Sequence, residues 1–215
     1  MKIAMIGRGG HSKVISEMIR TNENYQIVAY LDDKYENVIL MENIFCGPIS
    51  SINKLLKYDP NIKFIIAIGN NKTRKLIVEK LNLTNEYYVT IIHKSSIISN
   101  CSKIGNGTVI MPGSVINADA EIGDHSIINT GAVIEHDCVI GNFTHVCPGA
   151  TLTGTVNVEL GAFVGAGATV IPNIRVGEWA TIGAGATVIQ NVPSYCTAVG
   201  NPAKVVNNNL SLKVN

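Results

Sequence analysis

Residues 121–152 read EIGDHSIINTGAVIEHDCVIGNFTHVCPGATL, and an aliphatic side chain returns at every sixth place: Ile122, Ile128, Ile134, Ile140, Val146 and Leu152. The period runs on in both directions. It reaches back through Ile116, Ile110 and Ile104 to Ile98 and forward through Val158, Val164, Val170, Val176 and Ile182 to Val188, sixteen positions without a break. This is a hexapeptide repeat, the mark of a parallel β-helix in which each short strand points one bulky side chain into a prism. No single repeat can bury its own aliphatic residue, so the stack folds as a unit. Four places after the aliphatic residue small side chains predominate, among them Ser126, Ala132, Cys138, Thr144 and Ala150, as crowded corners require. Val156, Ile174 and Val192 break this second rule.

Ahead of the repeats, residues 1–92 alternate between strand and helix patterns and form an α/β, Rossmann-like domain with a parallel sheet. Strands are expected at Lys2–Ile6, Gln26–Leu31, Phe64–Ile68 and Tyr87–Ile92, and helices at His11–Arg20, Ile49–Tyr58 and Lys72–Leu81. The domain boundary falls near His93–Ser96, where the six-residue period takes over, so residues 93–206 form the β-helix domain with its tail. Tyr195–Val206 reads as an irregular tail, and the polar Asn207–Asn215 stretch is expected to fray.

Bulk properties narrow the function. With 17 basic and 16 acidic residues the net charge is +1, and no cluster of cations in the sequence points to nucleic acid or an anionic membrane. Five cysteines, an odd number with no C-x-x-C pair, suit free thiols in a reducing compartment. A strand that starts at Lys2 leaves no room for a signal peptide, and no apolar run is long enough to span a bilayer, so a cytoplasmic protein is expected.

Chemistry can sit in two places. Gly7-Arg8-Gly9-Gly10-His11 joins a strand to a helix N-terminus, a geometry that offers backbone N–H groups to a phosphate, although the spacing is not G-x-G-x-x-G. The same glycines also suit a plain tight turn. Asp32-Asp33 and Gly69-Asn70-Asn71 end two other strands at the same carboxyl edge, where such sheets hold a nucleoside. The second place is on the repeats, which carry His125, His136 and His145 with spacings of 11 and 9. Three hexapeptides make one coil, so His136 and His145 lie half a perimeter apart and can share a site only between neighbouring chains. That separation also argues against a zinc site. Gly154, three hexapeptides after His136, falls directly above it on the next rung, pairing a possible general base with a bare N–H for an oxyanion. A surface histidine and a corner glycine is the plainer reading of the same two residues. Glu135 and Asp137 flank the histidine and can orient it.

Taken together, Gly-x-Gly-Gly-His at 7–11, Leu31-Asp32-Asp33, Ala67-Ile68-Gly69-Asn70-Asn71, Ile92-His93-Lys94-Ser95, Val133–Gly141 and Gly200-Asn201-Pro202-Ala203-Lys204 resemble the sugar acyltransferases of the sialic-acid O-acetyltransferase type. Within that group they are most similar to the UDP-4-amino-sugar N-acetyltransferases of bacillosamine biosynthesis. The resemblance implies a left-handed β-helix, a homotrimer with sites between subunits, acetyl-CoA as co-substrate and no metal. It also implies a UDP-linked 4-amino-4,6-dideoxy sugar as acceptor, for surface polysaccharide or glycan assembly. By the same resemblance His136 is the general base, Asp137 its orienting partner and Gly154 the oxyanion donor. His145, Ala166 and Ala184 correspond to acetyl-CoA contacts, and Gly9, Gly10, His11, Asp32, Asp33 and Gly69 to contacts of the nucleotide sugar. Asp137 stands where a member of that family has glutamate, one methylene longer. O-acetylation of a sialic acid or related sugar, and a nucleotide-sugar-binding scaffold without activity, are the alternatives.

Overall fold

The computed structural model describes residues 1–208. The chain divides into two compact units, Met1–Ile91 and a second that begins at Ile92.

The first unit is a five-stranded sheet of β1 (Lys2–Ile6), β2 (Gln26–Leu31), β3 (Ile39–Met41), β4 (Ile44–Gly47) and β5 (Lys63–Ile66), in the order β3-β4-β2-β1-β5. All neighbours are parallel except β3 and β4. Ile3, Ala4, Met5 and Ile6 are fully buried, as a central parallel strand covered on both faces should be. Helices α1 (Gly10–Arg20), α2 (Ile52–Tyr58) and α3 (Asn71–Leu81) follow β1, β4 and β5. Asn70 caps α3, its Oδ1 accepting the Thr73 N–H at 2.9 Å, and Asn82 ends it in the left-handed region.

The strand expected at Phe64–Ile68 spans Lys63–Ile66 and the helix expected at Ile49–Tyr58 opens as a 3₁₀ turn at Ile49–Ser51, and two further parts of this unit differ more from the sequence expectation. The hairpin β3–β4 turns through Glu42 and Asn43, both at positive φ (49° and 64°), and lacks the Asn-Gly pair that signals such a turn. The strand expected at Tyr87–Ile92 shrinks to Ile91–Ile92, preceded by a 3₁₀ turn at Asn85–Tyr87 and a single bridge from Tyr88 to Phe64. The physical reason is local: the Tyr87 and Tyr88 amides donate to Thr84 and Asn85 carbonyls within the turn, so they are not offered to a neighbouring strand.

In the second unit every repeat contributes a two-residue strand, and the strands stack into three parallel sheets. One column runs Ile116, Ile134, Leu152, Val170, Val188; its register partners all stand three hexapeptides apart. The other two faces keep the same step. Aliphatic columns and small corner residues form one continuous buried core. Val156, Ile174 and Val192 are buried in it as well, so the corner position also faces inward and accepts a larger side chain where there is room. Burial of each Ile or Val contributes about 1.5–3 kcal/mol, which is how two-residue strands persist.

The tail is more regular than expected. Cys196–Val199 adds a parallel strand beside Thr181–Ile182, and Lys204–Asn208 folds back on it antiparallel. Asn207 and Asn208, expected to fray, thus belong to a strand; residues 209–215 lie outside the described part. Among the described residues no helix is long and apolar enough to cross a membrane.

Candidate active site

His136 follows the strand Val133–Ile134, whose register partner on the next rung is Thr151–Leu152. That pairing brings Gly154 against the imidazole: a Cβ built on Gly154 would lie 2.6 Å from both Cε1 and Nε2. Gly154 is not in the left-handed region, so the ring, and not the backbone, demands a glycine there. Its N–H takes part in no hydrogen bond among the described residues and is free to donate outward. Asp137 turns the corner at φ +59°, a conformation that aspartate tolerates, and its Oδ2 stands 2.7 Å from His136 Nδ1. One methylene fewer than glutamate therefore still reaches the ring. With Nδ1–H donated to the carboxylate, the lone pair is left on Nε2, the nitrogen beside Gly154.

The bond to Asp137 raises the His136 pKa, against a smaller opposing effect of desolvation. Both side chains are more than half exposed, so the pair contributes little to folding, and its value is chemical. A base must be unprotonated to act, so a raised pKa moves the acid limb of a pH–rate profile upward. Asp137→Asn keeps a residue suited to positive φ but removes the charge. The acid limb of kcat/KM is expected to move to lower pH while the plateau falls about tenfold, because a weaker base assists less. An unchanged limb would mean that Asp137 does not act on His136.

His145 opens the strand His145–Val146 on a different face, half a coil along the chain from His136, so one chain does not bring the two together. It is 8% exposed, with its ring edge against Phe163 at 5.3 Å. Asn129 Nδ2 stands 2.9 Å from its Nε2. Because Asn129 Oδ1 accepts the Thr130 N–H at 2.8 Å, its amide nitrogen must face the ring. Nε2 is thus an acceptor, and the proton of the neutral ring sits on Nδ1. Ala166 and Ala184 are exposed on successive rungs, linked by the Gly185 N–H donating to the Ala166 carbonyl at 2.8 Å. Their own N–H groups take part in no hydrogen bond among the described residues. His125, stacked on Phe143 at 5.1 Å, follows the strand Glu121–Ile122 at yet another corner.

In the first unit Gly7 is structural, since at φ +97° a Cβ would meet Ile68 at 2.6 Å. Gly9, Gly10 and Gly69 are different: a Cβ at any of them would touch nothing within 4 Å, and none lies at positive φ. The chain itself does not need glycine at these three positions. Gly9 caps α1 without a side-chain bond and no acid lies in the first turn, so the helix N-terminus remains open to an anion. Asp32 accepts the N–H groups of Arg8 at 2.6 Å and Lys34 at 3.0 Å, and Asp33 accepts that of Ile49 at 2.9 Å. Both aspartates therefore shape the loops, and each keeps lone pairs for a further partner. Burial, followed by the nearby Arg74, lowers the His11 pKa to about 4, so its ring is neutral at pH 7. Arg74 is 1% exposed and donates to the Ile68 and Gly69 carbonyls at 2.9 and 3.3 Å and to Asn71 Oδ1 at 2.9 Å. Burial pushes its pKa down to about 9.

Comparison with known proteins joins these two halves. Residues 2–81 match the PglD N-terminal domain, and residues 101–136 and 119–154 match the bacterial transferase hexapeptide family. The crystal structure of PerB from Caulobacter crescentus in complex with CoA and GDP-perosamine is 34% identical, with a TM-score of 0.87 over 96% of this chain and 98% of that one. The chain belongs to the sugar acetyltransferases that join a PglD N-terminal domain to hexapeptide repeats. In this family's left-handed β-helix a second solved member is the acetyltransferase domain of PglB from Neisseria gonorrhoeae in complex with acetyl coenzyme A. It is 32% identical with a TM-score of 0.86, over 95% of this chain and 98% of that one. The UDP-N-acetylbacillosamine N-acetyltransferase of Bacillus subtilis is 45% identical over 109 residues, so the match spans half of that relative's length.

Two cysteines near the repeat histidines do not suit an acetyl-enzyme of this family member. Burial raises the thiol pKa of Cys138 and pushes that of Cys147 up to about 12, so neither is a thiolate at neutral pH. Cys138 fills the small corner position, its Sγ 3.2 Å from the Thr153 carbonyl.

Proposed function

We propose that the protein transfers the acetyl group of acetyl-CoA to the 4-amino group of a UDP-linked 4-amino-4,6-dideoxy sugar, for surface polysaccharide or glycan assembly. The observation that carries this reading is the His136 imidazole, held by Asp137 on one nitrogen and packed close against Gly154 on the other. The B. subtilis relative, named for a UDP-linked acceptor, supports the choice of nucleotide.

The sugar amine attacks the thioester carbonyl carbon, and its proton passes to Nε2 of His136. Charge developing on the carbonyl oxygen is met by the Gly154 N–H. When the C=O re-forms, the C–S bond breaks, and the departing sulfur takes the proton back from the imidazolium. Ala166 and Ala184 present outward amides one rung apart, a spacing that suits the two in-line amides of a pantetheine arm. Because His136 and His145 lie on different faces, a complete site draws them from two copies in a homotrimer.

Release of CoA thiol, followed across a panel of UDP-, GDP- and dTDP-linked amino sugars, tests the assignment. Turnover should be fastest with a UDP-4-amino-4,6-dideoxy sugar, and absence of thiol release with every amine would overturn it. In the same assay Asp32→Ala and Gly10→Val should raise KM for the acceptor by about tenfold or more with KM for acetyl-CoA little changed. Gly10→Val is the harsher of the two, since its side chain would stand where the phosphates approach. Equal effects on both substrates would remove the first unit from acceptor binding.

A further inference from the structure

A depression of about 410 Å³ lies on the flank of α1, beside the glycine turn but outside the residues assigned to the nucleotide sugar above. Its lining brings together the cations of Arg8, Lys13, Arg20 and Lys34, with Ser12 and Tyr30 between them, and no carboxylate lines it among the described residues. That is four of the chain's 17 basic side chains in one hollow of a nearly neutral protein. Like charges gathered at this density repel one another unless an anion is shared between them.

Three of the four cations also have partners that hold them. The Arg8 guanidinium lies over the Tyr30 ring at 4.9 Å and the Tyr35 ring at 5.8 Å and donates to the Tyr35 hydroxyl. Lys34 Nζ donates to the Arg8 carbonyl at 3.1 Å, and Arg20 Nη2 reaches the Tyr30 hydroxyl at 3.5 Å. The Tyr30 hydroxyl is fixed in turn by Ser16 Oγ at 3.1 Å. Asp32 meets the cluster through the backbone N–H groups of Arg8 and Lys34. A hollow of this size is in the range of small-molecule sites, and cations ordered in advance lose little entropy on binding.

We propose that this depression is a diphosphate-binding site, with Arg8, Lys13, Arg20 and Lys34 as its charge-bearing contacts. The ligand is a phosphate or diphosphate group, and the acceptor's own diphosphate, entering from the glycine turn through Arg8 and Ser12, is its most direct source. That source, though not the site, rests on the function proposed above. A free phosphate-bearing effector would use the same contacts.

Inorganic pyrophosphate is the probe, measured by titration calorimetry and so independently of acetyl transfer. Wild-type protein should bind it, and added salt should weaken the binding steeply. The exposed pair Lys13→Glu and Arg20→Glu, made together, should weaken it by about tenfold or more. Lys57→Glu with Lys80→Glu, an equal charge change elsewhere on the same unit, should leave it unchanged. No binding to the wild type, or equal loss in the control pair, overturns the site. Displacement of pyrophosphate by the nucleotide sugar assigns it to the acceptor; simultaneous binding assigns it to an effector. If pyrophosphate binds but no amine is acetylated, the site stands and the proposed function falls.

Discussion

Replacing His136 by alanine should lower kcat by about 100-fold or more, the usual worth of general-base assistance, while the unfolding midpoint and the KM for the acceptor stay close to wild type. The side chain is more than half exposed and bonds only Asp137, so nothing in the core depends on it. Its contribution lies in where Nε2 points, not in what it packs against. Steady-state kinetics on the folded variant decide the matter. Turnover near wild type would remove His136 from the reaction and leave the Gly154 amide without the base it is supposed to serve.

Gly154→Ala should be nearly as damaging although it adds a single methyl group. That carbon would sit 2.6 Å from Cε1 and Nε2 of His136, so the ring must swing off its seat. Displacement of a reacting group by about 1 Å costs on the order of 100-fold, and kcat should fall by that amount with the fold intact. Backbone strain does not confuse the result, because Gly154 has no positive φ for alanine to violate. Contrast comes from Gly167→Ala, where space is open but φ is +65°: stability should fall there and kcat should hold. If Gly154→Ala turned over normally, the contact between glycine and imidazole would be incidental.

The repeat half of the molecule was legible because it obeys one number. Once three hexapeptides make a coil, the meeting of His136 with Gly154 follows by subtraction, and so does the stacking of Ala166 and Ala184. Arg74 was not legible, since in sequence it is one more cation on a polar helix; only its place under the Ile68 and Gly69 carbonyls shows its task. Asn129 escaped for a similar reason, because it meets His145 across a separation that matches neither the repeat nor the coil. Ile39–Met41 reads as three apolar residues without alternation, and all three are exposed in the hairpin, so the pattern of burial that reveals a strand is missing. The basic hollow was hidden in another way: its four cations are scattered between positions 8 and 34, and a strand and a helix bring them to one place.

The three-repeat register also makes the length of this chain a quantised property. A one-residue insertion within a strand would turn that strand's aliphatic side chain away from the axis, whereas a whole added coil would leave every column filled. Such a coil is not equally harmless everywhere. Placed after Val188 it would lengthen the prism by about 4.8 Å and touch none of the proposed chemistry. Placed between His136 and Gly154 it would put a new rung between base and amide. Growth and shrinkage of this molecule can therefore proceed freely at one end of the stack, while the two rungs that hold the imidazole and its glycine are a joint into which no length can be inserted.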